Sequence, residues 1–358
     1  METTPHAATE SDRKQHVRRK HYKGRYPRHF EEKYKELNPE KYNGFAVHVA
    51  SKGNTPAGTH IPIMVKEILD FLQIKPGQTG FDATLGYGGH TRAMLDQLRG
   101  NGHLHATDVD PIESEKTLRR LREAGYGEAV LSVHNMNFAG IDKIVAETGP
   151  FDFILADLGI SSMQLDDPAR GFTYKTDGPL DLRMNPRRGI PAAKLLRKLS
   201  TDELEGMLTE NADEPYAAEI ACTICRDLQE GVMIQTTRQL YQEIEKALRF
   251  VPLPARKEVV KKSAARVFQA LRIDVNGEFE ALYTFLEKLP YALAPRGRVA
   301  ILTFHSGEDR LVKKAFRTFL KDGLFCDAAR DVIRPSAEEC FKNPRARSVK
   351  FRWGIRSE

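Results

Sequence analysis

From residue 62 onward the apolar positions fall into two alternating rhythms. Residues 62–74 carry Met64, Ile68, Leu69, Phe71 and Leu72 on one helical side, and Pro76-Gly77 breaks the run. A short strand follows over 79–85, then a glycine-rich turn at 86–89 and a helix over 90–98. Further strands are expected at 103–107, 130–133 and 151–156, with helices over 112–124 and 141–147 between them. Strands alternating with helices predict an α/β fold built on a parallel sheet.

The rhythm changes near residue 163. Up to about 266 no segment reads as a strand. An irregular polar stretch, 166–188, leads into helices at about 191–198, 201–210, 215–229, 236–249 and 254–270. The sheet rhythm then returns, with a helix over 277–293, a turn at 295–297, a strand over 299–304, a helix over 307–320 and a final strand over 348–355. A helical block of about 100 residues thus interrupts an α/β domain. Residues 1 to about 50 lack a clear apolar period and read as a tail with one short helix near 30–37. No internal repeat of solenoid period is present.

Composition adds bounds. A chain of 358 residues is too long for one simple core, and 41% hydrophobic residues are enough for a globular one. The net charge of +6 matters less than its placement. Arg13, Lys14, Arg18, Arg19, Lys20, Lys23, Arg25 and Arg28 face a single acid, Asp12, and a second basic cluster comprises Lys342, Arg345, Arg347, Lys350 and Arg352. Both fit a polyanionic partner; taken alone, each also reads as a solvated charge run. No apolar run approaches a membrane span, and the basic N-terminus has no apolar stretch behind it, so a cytoplasmic protein is expected. Four cysteines make no disulfide framework in a chain this long. Cys222 and Cys225 lie one helical turn apart without a second pair of zinc ligands, which predicts core packing on a shared helix face. A metal is neither indicated nor needed.

The richest segment for chemistry is Phe81-Asp-Ala-Thr-Leu-Gly-Tyr-Gly-Gly-His90, where a strand ends and a helix begins. Gly86, Gly88 and Gly89 allow a tight turn and close approach of a ligand. Asp108 stands twenty-two residues after Gly86, at the end of the second strand, where an acid accepts from both ribose hydroxyls of an adenosyl group. The spacing is not that of dinucleotide enzymes, and Asp82 places a negative charge where a sulfonium-bearing amino acid suits better than a pyrophosphate. Phe138, after the third strand, is a candidate neighbour of an adenine ring. Asp157 ends the fourth strand, where open α/β sheets place their chemistry, and is the candidate catalytic residue. An acceptor there can bond the hydrogens of an exocyclic amine and favour a pyramidal nitrogen. Arg170, Phe172, Tyr174, Lys175 and Arg183 mix cations and aromatic rings in an irregular stretch, which suits an unpaired nucleotide. His305 and Ser306 follow the late strand and either reach the site or, for Ser306, cap a helix.

Together these segments resemble the bacterial small-subunit ribosomal RNA cytosine-N4 methyltransferases, the MraW/RsmH family. The matching pieces run in family order over about 55–355: His60-Ile-Pro-Ile, Asp82 through His90, Asp108-Val-Asp-Pro, Asn137-Phe-Ala, Asp157 through Asp166, Arg170-Gly-Phe, Asp177 through Met184, Phe268 through Ile273, Phe304-His-Ser and Asn343 through Ser348. The resemblance implies a Rossmann-like class I methyltransferase sheet, 55–162 and 267–358, interrupted by an all-helical substrate (RNA)-recognition insert at 163–266, with residues 1–54 as a basic extension. It implies S-adenosylmethionine contacts at Gly88, Gly89, His90, Asp108, Phe138, Asp157 and Gln164, and N4 methylation of a cytidine in 16S ribosomal RNA within a small-subunit particle. A homodimer is left open. The chain departs from the family's usual residues at Met163 (Pro), Gly307 (Leu), Asn185 and Gly277 (both Asp). The stretch before Phe268 also lacks the usual His-Pro. Such departures leave open a paralogue acting on a different RNA. A non-catalytic RNA-binding assembly factor also stays open, as does a methyltransferase for DNA or protein; cofactor binding and activity on naked DNA distinguish these.

Overall fold

The computed structural model describes residues 62–358, and the short helix expected near 30–37 and the N-terminal basic cluster lie outside them. The chain begins with α1 (Val65–Leu72), β1 (Thr79–Asp82), α2 (Gly89–Leu98), β2 (His103–Thr107), α3 (Pro111–Glu123) and β3 (Leu131–His134). It continues with α4 (Ile141–Thr148), β4 (Phe151–Asp157) and a short α5 (Ser162–Asp166). Five helices come next: α6 (Ala192–Leu196), α7 (Thr201–Ala212), α8 (Ala217–Gln229), α9 (Thr237–Ala247) and α10 (Leu253–Asn276). The last elements are α11 (Glu278–Ala292), β5 (Leu293–Thr303), α12 (Ser306–Lys321), β6 (Phe325–Ala328), α13 (Ala337–Lys342) and β7 (Lys350–Arg356).

The seven strands form one Rossmann-like sheet in the order β3-β2-β1-β4-β5-β7-β6. The first five are parallel, and β7 runs antiparallel to both β5 and β6. The centre is apolar without a break, as a sheet covered on both faces requires: Phe153 to Ala156 and Val299 to Leu302 are fully buried. Alternation along each strand then splits the core. Ile154, Ala156, Val299 and Ile301 pack with residues of α4, α11 and α12, while Phe153, Leu155, Ala300 and Leu302 pack with residues of α1, α2 and α3. A third core lies in the helical block, where Leu204, Ile220, Ile224, Leu240, Ile244, Val267 and Leu271 meet. Helix α10 extends past the expected 270 to Asn276 and turns into α11 at Gly277, whose φ of +58° is one that glycine adopts easily.

Two local expectations need correction, and one strand was not foreseen. The turn at 295–297 lies inside β5, which pairs with β4 already at Leu293 and resumes register at Arg298 through an irregularity. Strand β6 had no legible signal, because its middle residues, Cys326 and Asp327, are both exposed. Cys222 and Cys225 do not share one environment: Cys225 is buried in the helical core and Cys222 is exposed. All four cysteines are unpaired.

Candidate functional site

The carboxyl ends of β1, β2 and β4 open into a cavity of about 380 Å³, a size that holds a small organic ligand. Its floor is the glycine turn. Gly86 (φ +48°) and Gly88 (φ +81°) both take left-handed backbone, and a Cβ on Gly88 would stand 2.7 Å from Cγ2 of Thr117. Thr117 Oγ1 on α3 donates to the Gly86 carbonyl at 2.7 Å, and the Gly86 amide donates to Asp108 Oδ2 at 2.9 Å. Asp108 Oδ1 accepts from the Asp110 amide at 2.8 Å. Burial pushes the Asp108 carboxyl up to about 6 against these two bonds.

Asp157 closes the opposite wall. Its Oδ2 lies 3.3 Å from Nδ1 of His90, while its Oδ1 is buried and has no hydrogen-bond partner. The other ring nitrogen of His90, Nε2, donates to the Ile63 carbonyl at 2.9 Å. Both neighbours of the ring are acceptors. Burial disfavours the imidazolium, but the bond and charge of Asp157, with the Ile63 carbonyl, outweigh it and raise the pKa of His90. An unpaired carboxylate oxygen out of water is costly unless something donates to it.

The remaining candidates divide. Gly89, Phe138 and Gln164 line the cavity; Phe138 is held edge-to-face by Phe285 at 5.3 Å. Gln164 Nε2 donates to Asp110 Oδ2 at 2.8 Å and its Oε1 accepts from the Ser161 amide at 3.0 Å. Asp82 does not line the cavity. Its two oxygens accept from Thr91 Oγ1 at 2.7 Å and the Thr84 amide at 3.0 Å, so it shapes the turn from beneath. Burial raises its pKa.

Among the nucleotide candidates, Arg170 pairs with Asp110 at 2.8 Å and donates to the carbonyls of Arg183 and Met184, which leaves it inside the protein. Phe172 is in the helical core at 5% exposure and presents no face for stacking. Tyr174 stacks on Tyr241 at 5.3 Å and donates to the Lys261 carbonyl. Lys175 is exposed, and Arg183 is clamped by Asp181 at 2.7 and 2.8 Å. His305 takes the cap position of α12 with its ring nearly buried and Nε2 3.2 Å from Glu308 Oε1. Ser306 is the first residue of that helix rather than its cap, and its hydroxyl donates to Asp213 at 3.1 Å. Neither His305 nor Ser306 lines the cavity.

Several residues that build the site escaped sequence reasoning. Asp110 is the hub: fully buried, it caps α3 through the amides of Ile112 and Glu113, holds Gln164 and pairs with Arg170. Asp110-Pro111 was a legible start of a helix, but its partners are 54 and 60 residues away. Asn276 Nδ2 donates to the Leu182 carbonyl and its Oδ1 accepts from the Met184 amide, which brings Met184 and Asn185 to the rim. Glu278, His305 and Glu308 come within 4.8 Å of one another, an arrangement that resembles a metal site, yet Arg272 already holds both oxygens of Glu278 at 2.8 and 2.9 Å.

The C-terminal basic cluster is largely spoken for. Lys342 pairs with Glu338, Arg345 with Asp166, and Lys350 and Arg352 with Asp309; among the described residues Arg347 alone of the five has no ion pair. No helix among the described residues is long and apolar enough to cross a membrane.

Comparison with known proteins gives the same direction. A relative in Agathobacter rectalis, ribosomal RNA small subunit methyltransferase H 1, is 64% identical over 348 residues, 97% of this chain and 100% of its own length. That match takes in most of residues 1–54. The protein of the same name in Lachnoclostridium phytofermentans is 58% identical over 98% of this chain and 95% of its own. Ribosomal RNA small subunit methyltransferase H of Koribacter versatilis is 37% identical over 302 residues, covering 83% of this chain and 94% of its own. The model of the MraW methylase family matches residues 57–356, and the chain belongs to that family.

Proposed function

We propose that the chain transfers a methyl group from S-adenosylmethionine to the exocyclic N4 of a cytidine in small-subunit ribosomal RNA. The observation that carries this reading is the Asp157–His90 pair in the wall of a glycine-floored cavity that Asp108 and Phe138 also line. The names of the relatives support RNA as the acceptor. The donor set fits the cofactor. Asp108 would accept from its ribose hydroxyls, Phe138 would cover its adenine, and the turn at Gly86, Gly88 and Gly89 would let its amino-acid end approach the backbone. Bound there, S-adenosylmethionine supplies a methyl group already activated on a positive sulfur.

The protein's own part is alignment and exclusion of water. His90 fixes Oδ2 of Asp157, so the second oxygen keeps one direction. That oxygen takes a hydrogen bond from the target amine and turns its lone pair out of conjugation with the ring. A nitrogen that has gained a methyl group is acidic, so no strong base is required. We assign the sheet, 55–162 and 267–358, to the cofactor and the helical insert, 163–266, to presentation of the RNA. Lys175 and the exposed edge of Tyr174 are the members of the polar stretch still open to a nucleotide.

The test is transfer of labelled methyl from S-adenosylmethionine to RNA of cells lacking this protein, followed by nucleoside mass analysis. N4-methylcytidine in small-subunit RNA is the expected product. Label in any other nucleoside sinks the assignment of N4, and label in DNA or protein sinks that of RNA.

A further inference from the structure

Helix α12 turns one face inward and one outward. Val312, Phe316 and Phe319 are buried on the inner side. Arg310, Lys313, Lys314, Arg317 and Lys321 line a shallow groove on the outer side together with Thr318. At 100° per residue these five cations fall within one third or so of the helix circumference, about one turn apart along the axis. The acids of the helix do not offset them. Glu308 and Asp309 are buried in its first turn, and Asp309 is held by Lys350 and Arg352. Arg310 pairs with Asp213, while among the described residues Lys313, Lys314, Arg317 and Lys321 have no ion pair.

Cations three and four apart on a helix repel one another, so stability alone does not favour such a row. Apart from Leu320 at its edge, no large apolar side chain interrupts it, which disfavours a membrane surface or an apolar protein anchor. A polyanion with repeated single charges is the complement. The row starts two residues beyond Glu308, which lines the cavity, and runs about 16 Å down the flank of the sheet from Arg310 to Lys321.

We propose that this face of α12 is a docking track for the phosphate backbone of the RNA substrate. The proposal rests on the RNA reading above and names a surface that the helical insert does not contain. Flanking RNA lies along α12 while the target nucleotide enters the cavity at its head.

The test uses the full chain and a transcript of small-subunit ribosomal RNA. One variant carries Lys313→Gln, Lys314→Gln, Arg317→Gln and Lys321→Gln. A control loses the same charge elsewhere through Lys66→Gln, Lys75→Gln, Arg119→Gln and Lys143→Gln. RNA affinity is measured by fluorescence anisotropy between about 50 and 200 mM salt. The α12 variant should bind tenfold or more weakly at low salt, with a salt slope shallower by about 2 to 3. Its S-adenosylmethionine affinity and melting temperature should match those of the parent, and the control should keep the parental slope. An unchanged slope in the α12 variant, or an equal change in the control, overturns the proposal. If the slope changes as expected but the parent transfers no methyl to RNA, the track stands and the methylation reading fails.

Discussion

Asp157 and His90 are coupled, and the coupling can be read from either side. Asp157 raises the pKa of His90 against the effect of burial. Asp157→Ala should therefore lower the His90 pKa, because burial is then opposed only by the Ile63 carbonyl and the more distant Asp82; NMR titration of the imidazole checks this. The same change should cut methyl transfer by about 10²- to 10⁴-fold. The sign for stability follows. A histidine raised in the folded state stabilises most below its unfolded pKa and loses that contribution as the pH rises through the folded one. The parent protein should thus lose stability above pH 6.5 relative to Asp157→Ala, as measured by urea unfolding. Asp108 works in the other direction for the ligand. With its carboxyl near 6, S-adenosylmethionine should bind best above that pH and weaken as the acid is protonated below it. Asp108→Asn should bind weakly at every pH, and calorimetry that finds the parental pH profile in this variant removes the ribose role.

At the scale of elements, the site is held by contacts between segments far apart in sequence. Asp110 caps α3 and reaches Gln164 within α5 and Arg170 beyond it. Removing it leaves a buried guanidinium without its counter-charge. Asp110→Ala should cost about 3 to 5 kcal/mol in denaturant unfolding, while Asp110→Asn, which keeps the cap, should recover about 1 kcal/mol of that. The start of α12 is equally tight. A Cβ at Gly307 would stand 2.5 Å from Cζ of Phe279 and 3.2 Å from Nδ1 of His305. Gly307→Leu should destabilise by about 1 to 3 kcal/mol here. Phe279→Ala in the same chain should restore much of the loss by opening the space.

At the scale of the molecule, the cavity draws on more than one core. Its walls include the sheet turns, Met184 and Asn185 beside the helical core, and Asn276 at the end of α10. A ligand there braces the helical block against the sheet. Saturation with S-adenosylmethionine at about a hundredfold Kd should add about 2.7 kcal/mol and raise the melting temperature by about 4 °C in one transition. Calorimetry that finds an upper transition moving while a lower one stays fixed would show that the helical block is not braced.

The alternation of strand and helix, the glycine turn, Asp108 and Asp157 were legible in the sequence because each is a local signal. Period, turn chemistry and the end of a strand are set by neighbours along the chain. The placing of Gly86, Asp108 and Asp157 around one cavity was legible on that basis. The surroundings of the polar stretch were not, because they depend on partners far along the chain. Arg170 and Phe172 have the chemistry of nucleotide contacts, yet Arg170 is claimed by Asp110 and Phe172 by the helical core. Charge behaved likewise. The dense C-terminal cluster is mostly neutralised by Glu338, Asp166 and Asp309, while the cations of α12, spaced three and four apart and diluted by apolar residues, emerge on one face. Composition counts charges, but only the packed structure decides which of them remain without an acid.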